Sequence, residues 1–287
     1  MSKLRFLRYG KLGSEKPGLV DFEGKIRSLV HLIDDIDVEK LALLEETLGD
    51  VDIGSLPVVP EPVRIGAPIA KVGNIIAVGL NYHEHIEETA ARTPEEPLLF
   101  NKAPSAICGP NDPIIIPKNA NNVDWEVELV IVIGKESRYL TKENALQAIA
   151  GYCLGIDVSE RSFQKDRGGQ WLKGKSADSF APVGPYLIPT SQVDLSRGLS
   201  LWLDVNGNRK QQASTLQMIH DVPTLVSYIS QFMSLHPGDL IFTGTPDGVG
   251  FVRNPPEFLH VDDTVSCGIS GLGEQTHTVI QYIETFT

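Results

Sequence analysis

Apolar and polar positions alternate along this chain with two periods, and the period changes where Gly and Pro cluster. Residues 4–9 alternate at strand period, and residues 19–22 and 26–30 do so on either side of Glu23-Gly24, which predicts a strand followed by a hairpin. Leu41, Leu44 and Leu48 recur at helical spacing and predict a short amphipathic helix over 38–48. The stretch LPVVPEPVRIGAPIAK then carries four prolines. Prolines have no amide hydrogen and disfavour helix before them, so an extended connector is expected. Beyond it, apolar runs predict buried strands at 74–79, 97–100, 152–156 and 240–243. Residues 142–150 have helical spacing, and Asn206-Gly207 signals a hairpin turn between LWLDV and RKQQAS. Asp221 and Pro223 open a helix whose stripe of Leu225, Val226, Ile229, Phe232 and Met233 reads as core. Strands at 265–269 and 276–283 close the chain. The expected organisation is a small N-terminal unit, 1–70, and a larger unit, 71–287.

The strongest pattern is NVDWEVELVIVIG at 122–134. Its first half puts Asp124, Glu126 and Glu128 on one strand face, and its second half is apolar on both faces. The acids therefore stand where a buried strand opens to solvent. Aligned carboxylates repel, and burying them without a partner is costly, so a divalent cation is one reading. An edge strand showing its acids to water is the other. Asp157 ends the 152–156 run in the same way, and it could equally cap a helix from Ser159. Downstream of 74–79, His85 and Glu88 share a face of a helical turn. They suit a general base oriented by a carboxylate, or the acid-rich start of a solvated helix.

Composition narrows these options. With 287 residues, 41% hydrophobic and 22% charged, the chain is an ordinary globular protein with ample material for a core. A net charge of −12 argues against nucleic acid or an anionic membrane as partner. Cys108, Cys153 and Cys267 form no CxxC pair, which argues against a disulfide framework or zinc cluster and implies a reducing compartment. The N-terminus lacks the apolar run of a signal peptide, and no stretch approaches the roughly 20 apolar residues of a membrane span. A cytoplasmic protein is expected.

One motif misleads. GQWLKGKS at 169–176 matches the phosphate-loop spelling, but a polar segment precedes it and Pro182 and Pro185 follow, so no strand and helix exist to aim amides at phosphates. A Gly-rich mobile lid over 161–176 that delivers Lys173 or Lys175 is expected instead.

Taken in order, GLNYHEHIEE, the D-x-E-x-E-L strand running into VIVIG, GIDVSERSFQ, the Lys-Ser of GKS before D-x-F-x-P-x-G-P, and GDLIFTGTPDGVG resemble the fumarylacetoacetate hydrolase family over residues 70–287. The resemblance implies an α+β fold, a mixed β-sheet roll of that family's C-terminal type with a small N-terminal α/β unit. It assigns the metal to Glu126, Glu128 and Asp157, the base pair to His85 and Glu88, and the lid lysine to Lys175. Substrate contacts fall on Tyr82, Arg161, Gln164 and Thr245. Leu80 departs from the Arg that many relatives carry, so no substrate cation is expected there. The N-terminal unit looks like that of members acting on 2,4-diketo-3-deoxy sugar acids.

Three carboxylates with no soft ligand favour Mg²⁺ first, Mn²⁺ second, with Ca²⁺ also compatible. The expected activity is metal-dependent hydrolysis of a C–C bond in a 2,4-diketo acid, by a homodimer that gives pyruvate and a hydroxy acid. Decarboxylation or tautomerisation of an oxo acid on the same site is the alternative reaction. A metabolite-binding protein without turnover is the non-enzymatic alternative.

Overall fold

The computed structural model describes residues 4–284. The N-terminal segment forms a four-stranded sheet in the order Ile26–Ser28, Lys16–Val20, Arg5–Tyr9, Ile65–Gly66. Its hairpin turn is built by Asp21, whose Oδ1 accepts from the amides of Glu23 and Lys25, both at 2.9 Å. Gly24 supplies the positive φ of 84° that this turn needs. Leu41, Leu44 and Leu48 are buried as their spacing predicts, although the regular helix covers only Leu44–Leu48 after a 3-10 turn. The proline-rich stretch does more than connect, because Ile65–Gly66 completes the sheet by pairing with Arg5–Tyr9.

The larger region is organised on a six-stranded sheet. Its order is Ile188–Pro189, Ile149–Ile156, Val127–Ile133, Leu240–Phe242, Ile75–Gly79, Leu98–Lys102. Only the Leu240–Phe242 and Ile75–Gly79 neighbours run parallel. All seven residues of Val127–Ile133 are buried, as a strand paired on both sides and covered on both faces must be. A five-stranded sheet, Asn208–Ser214, Ser200–Val205, Thr264–Ile269, Gly273–Gln281 and Ile114–Ile116, contains the expected Asn206-Gly207 hairpin.

Three local expectations change. Residues 142–150 hold only a 3-10 turn, Ala145–Ala148, before the strand begins at Ile149. The helix opened by Asp221 ends at Ile229, so Leu225, Val226 and Ile229 are core while Phe232 is 62% exposed. The acidic strand is interrupted: Val123–Asp124 pairs with Ser159–Glu160, Val127–Ile133 pairs with Ile149–Ile156, and Trp125 and Glu126 lie between.

One apolar core joins both regions, since Phe6, Leu19, Leu29 and Leu41 pack in the same cluster as Val130 and Leu154. Ion pairs reinforce the join. Arg64 grips Asp112 with Nε and Nη2 at 2.7 and 2.6 Å and also reaches Glu15 at 2.7 Å.

Candidate active site

Strand pairing assembles the carboxylates. Glu126 and Glu128 are two residues apart and face the same way, and the register that sets Val127 opposite Ile156 puts Asp157 beside Glu126. The Asp157 amide donates to the Glu126 carbonyl at 2.8 Å. Carboxylate oxygens from Glu126, Glu128 and Asp157 lie within 4.8 Å of one another, all buried. Asp124 does not join them. Its carboxylate accepts from the Gly250 and Phe251 amides at 2.7 and 3.1 Å and from Arg161, which ties down the loop that follows Leu240–Phe242.

Three buried cations surround these acids. Lys175 Nζ bridges Glu126 at 2.7 Å and Asp157 at 2.6 Å. Lys102 Nζ donates to Asp157 at 2.5 Å and to the Val158 carbonyl at 3.2 Å. Arg161 donates to Asp124 from Nε at 2.9 Å, to Glu126 from Nη2 at 2.6 Å and to Gln164 from Nη1 at 3.1 Å. Burial opposes ionisation of Glu126, but the adjacent Lys175 and Arg161 charges hold its carboxyl below the usual range. Glu128 goes the other way. Burial, with Asp157 and Glu126 as like-charged neighbours, pushes it well above the ordinary value. Its one hydrogen bond is from the Gly244 amide at 2.8 Å.

Four buried carboxylates thus face three buried cations, and the charge in excess sits on Glu128. A hard divalent cation held by Glu126, Glu128 and Asp157 would remove that excess, so the residues present fit such an ion. The Tyr82 hydroxyl is also orphaned: among the described residues it is buried without a hydrogen-bond partner, and burial and the Glu128 charge push its pKa up.

Two glycines allow this packing. Gly244 has φ +96°, and a Cβ there would lie 2.7 Å from Asn81 Cβ and 3.1 Å from the Val78 carbonyl, so only glycine can aim its amide at Glu128. At Gly174 a Cβ would meet the Glu160 carbonyl at 2.5 Å and the Gln164 amide at 2.7 Å. Its absence lets helix Leu172–Lys175 close on helix Arg161–Lys165 and carry Lys175 inward.

His85 and Glu88 lie on helix His83–Thr89, directly after strand Ile75–Gly79. Glu88 Oε1 is 2.7 Å from His85 Nδ1, and Glu88 Oε2 accepts from the Gly248 amide at 2.8 Å. A carboxylate on Nδ1 selects the tautomer protonated there, which leaves Nε2 with a lone pair. His85, Glu126, Glu128, Gln164, Lys175 and Thr245 line one cavity of about 210 Å³. Its apolar lining includes Leu80, Ala91, Phe100 and Trp171, and the Phe100 ring centre lies 5.1 Å from Lys175 Nζ. Phe100 and Trp171 meet edge to face at 5.1 Å.

Most residues singled out from sequence therefore converge, with three corrections. Tyr82, expected on the substrate, is core and outside the cavity lining, because the turn into the helix points it under Glu128. Arg161, expected on the substrate carboxylate, lines the cavity, but its guanidinium is committed to Asp124, Glu126 and Gln164. In the segment 161–176, expected to be a lid, Arg161, Gln164, Gly174 and Lys175 are buried while residues 165–170 are exposed. Thr245 lines the cavity with its hydroxyl held between the Val127 carbonyl at 3.0 Å and Gln211 at 2.9 Å.

Sequence reasoning missed two residues. Lys102 reads as the polar end of a strand, and only its pairing with Asp157 reveals a buried charge. Gln211 comes from the second sheet to bind the Val127 amide at 2.9 Å as well as Thr245. A lysine closing an otherwise apolar strand was the available signal for Lys102; Gln211 had none.

Glu126 and Glu128 share one cavity with His85, with Asp157 against Glu126 and Glu88 against His85 behind its wall, an arrangement suited to an enzyme's active site. Residues 74–280 match the family model described as fumarylacetoacetate (FAA) hydrolase C-terminal, and the chain belongs to the fumarylacetoacetate hydrolase family. It is 44% identical over 280 residues to a 2,4-didehydro-3-deoxy-L-rhamnonate hydrolase of Sphingomonas sp. (strain SKA58), with 97% of each chain covered. A fumarylacetoacetate hydrolase from Exiguobacterium antarcticum superposes with a TM-score of 0.87 at 35% identity, covering 97% of this chain and 100% of that one. Maleylpyruvate hydrolase from Sphingobium sp. SYK-6, in complex with manganese(II) and pyruvate, superposes with a TM-score of 0.80 at 28% identity, covering 97% and 100%. The mixed-sheet α+β fold is that of these neighbours. No helix among the described residues is long and apolar enough to cross a membrane.

Proposed function

We propose that this protein is a divalent-metal-dependent hydrolase that cleaves the C3–C4 bond of a 2,4-diketo-3-deoxy sugar acid, releasing pyruvate and a hydroxy acid. The observation that carries this reading is the cavity that Glu126 and Glu128 of the acidic triad share with the oriented His85. The 2,4-didehydro-3-deoxy-L-rhamnonate hydrolase supports the sugar-acid class, and the manganese and pyruvate of the maleylpyruvate hydrolase complex support the metal and the product. Mg²⁺ is the proposed ion, with Mn²⁺ as its substitute.

Held by Glu126, Glu128 and Asp157, the ion would polarise the 2-oxo acid end of the substrate as a Lewis acid. His85 Nε2 takes a proton from a water, and the hydroxide adds to the C4 carbonyl. Glu88 keeps Nδ1 protonated and steadies the imidazolium that results. As the C3–C4 bond breaks, its electron pair passes into the pyruvate enolate. Lys175 carries its ammonium to the side of the triad where this charge develops. The proton on His85 returns to C3, which completes pyruvate and leaves the tail as a carboxylic acid. Arg161 and Lys102 act on the protein side, where they hold Glu126 and Asp157 in place.

Decarboxylation or tautomerisation would need the enolate but no attacking water. The His85–Glu88 pair, placed to act as a base toward water, favours hydrolysis. The test is pyruvate release from a panel of 2,4-diketo acids, β-keto acids and maleylpyruvate-like compounds, with and without EDTA. Release from 2,4-diketo-3-deoxy acids that stops with EDTA and returns with Mg²⁺ is expected. Turnover confined to β-keto acids, with CO₂ released, would overturn the reading. A cytoplasmic homodimer belongs to the same proposal, and mass measurement in solution decides the assembly.

A further inference from the structure

Four cationic side chains line or underlie the cavity, and three of them are spoken for. Lys102, Lys175 and Arg161 each hold one or two of the buried carboxylates at hydrogen-bonding distance. Lys165 is the fourth. It ends helix Arg161–Lys165 and lines the cavity. Among the described residues it has neither an acidic partner within salt-bridge distance nor a hydrogen-bond acceptor.

What holds Lys165 is Phe251. Its ammonium lies 3.5 Å from the centre of that ring, and the Arg161 guanidinium lies 4.3 Å from the same centre. Phe251 is itself fixed, because its amide and that of Gly250 donate to the Asp124 carboxylate. Two cations therefore share one aromatic ring that lines the cavity, and among the described residues only Arg161 is paired with carboxylates. A rigid platform bearing one unbalanced positive charge beside a cavity is an anion-recognition element.

We infer that Lys165 is the cation that meets the C1 carboxylate of the oxo acid, the contact that sequence alone would give to Arg161. This rests on the oxo-acid reading above. The assignment divides the work by burial: the fully paired Arg161 sets Glu126, while the partly exposed Lys165 exchanges solvent for substrate as the cavity fills.

Pyruvate is the minimal probe, because it carries that carboxylate and no tail. Calorimetric titration of pyruvate into Mn²⁺-loaded protein should give a Kd at least tenfold weaker for Lys165→Met than for wild type. Lys165→Arg should recover most of the loss, and Mn²⁺ affinity should be the same in all three proteins. In turnover, Lys165→Met should raise KM by a similar factor while kcat stays within about threefold. An unchanged pyruvate Kd in Lys165→Met would overturn the assignment. So would a parallel loss of Mn²⁺ affinity, which would make Lys165 part of the metal site's support. If wild type binds pyruvate in a Lys165-dependent manner yet cleaves no 2,4-diketo acid, the proposed reaction fails while the role of Lys165 stands.

Discussion

His85 lines the cavity with Nδ1 held by Glu88, so removing it should separate chemistry from metal binding. His85→Ala is expected to lower C–C hydrolysis by about 10²–10⁴-fold, the usual worth of a general base. Calorimetric Mn²⁺ affinity should stay unchanged; its loss would make His85 a ligand. Lys175 should behave differently because its charge matters most where charge appears. Lys175→Met is expected to reduce kcat by about 10²–10³-fold with a smaller change in KM, as loss of one oxyanion donor does elsewhere. Glu128 offers a third, opposite-signed test. Its carboxylate is buried with only the Gly244 amide for company, so Glu128→Gln keeps that hydrogen bond and removes an uncompensated charge. Metal-free Glu128→Gln should be more stable than wild type by about 1–3 kcal/mol in urea melts. The same variant should lose Mn²⁺ affinity. Lower stability in the metal-free variant would mean that Glu128 is already balanced by its surroundings.

At the scale of elements, the active wall depends on two short helices meeting without a side chain between them. A Cβ at Gly174 would clash with backbone atoms of Glu160 and Gln164, which cannot rotate away as a side-chain end could. Gly174→Ala should therefore move helix Leu172–Lys175 outward, at a cost of about 1–3 kcal/mol. Activity should fall further than that stability loss explains, because Lys175 leaves Glu126 and Asp157. Equal activity at a temperature where both proteins are folded would show that Lys175 can reach the site from a displaced helix. The strand break at Trp125 and Glu126 works at the same scale. By releasing Glu126 from ladder pairing, it lets Asp124 turn to the loop at 250–251 while Glu126 and Glu128 face the cavity.

Over the whole molecule, the N-terminal sheet is fastened to the region that bears the site by a shared core and by charge. Burial disfavours the Asp112 carboxylate, but hydrogen bonds from Arg64 and the Gly109 amide outweigh it and hold its pKa below the usual value. A carboxyl depressed in the folded state contributes stability above its unfolded pKa of about 3.9, and that contribution fades as pH falls below it. Asp112→Asn should consequently be less stable than wild type at pH 6, with the gap closing below about pH 4. Urea unfolding across that range measures it, and a gap independent of pH would assign the loss to packing instead.

The sequence by itself determined most of the strands and part of the site's inventory. Period-two runs marked the strands, and the acids on 124–128 and at 157 announced a carboxylate centre. The spacing of His85 and Glu88 put them on one helical face. These are local properties, set by side-chain direction within one element or by a residue's place at its end. The tertiary structure decided the pairings. Cross-strand register put Asp157 against Glu126, and a distant strand supplied Lys102. Pairing committed the Arg161 guanidinium to Asp124, Glu126 and Gln164, burial left Tyr82 outside the cavity lining, and Phe251 held Lys165 beside it. Each of these depends on which buried charge finds which partner across more than 20 residues of chain. That balance is settled only when desolvation forces every buried charge to be matched.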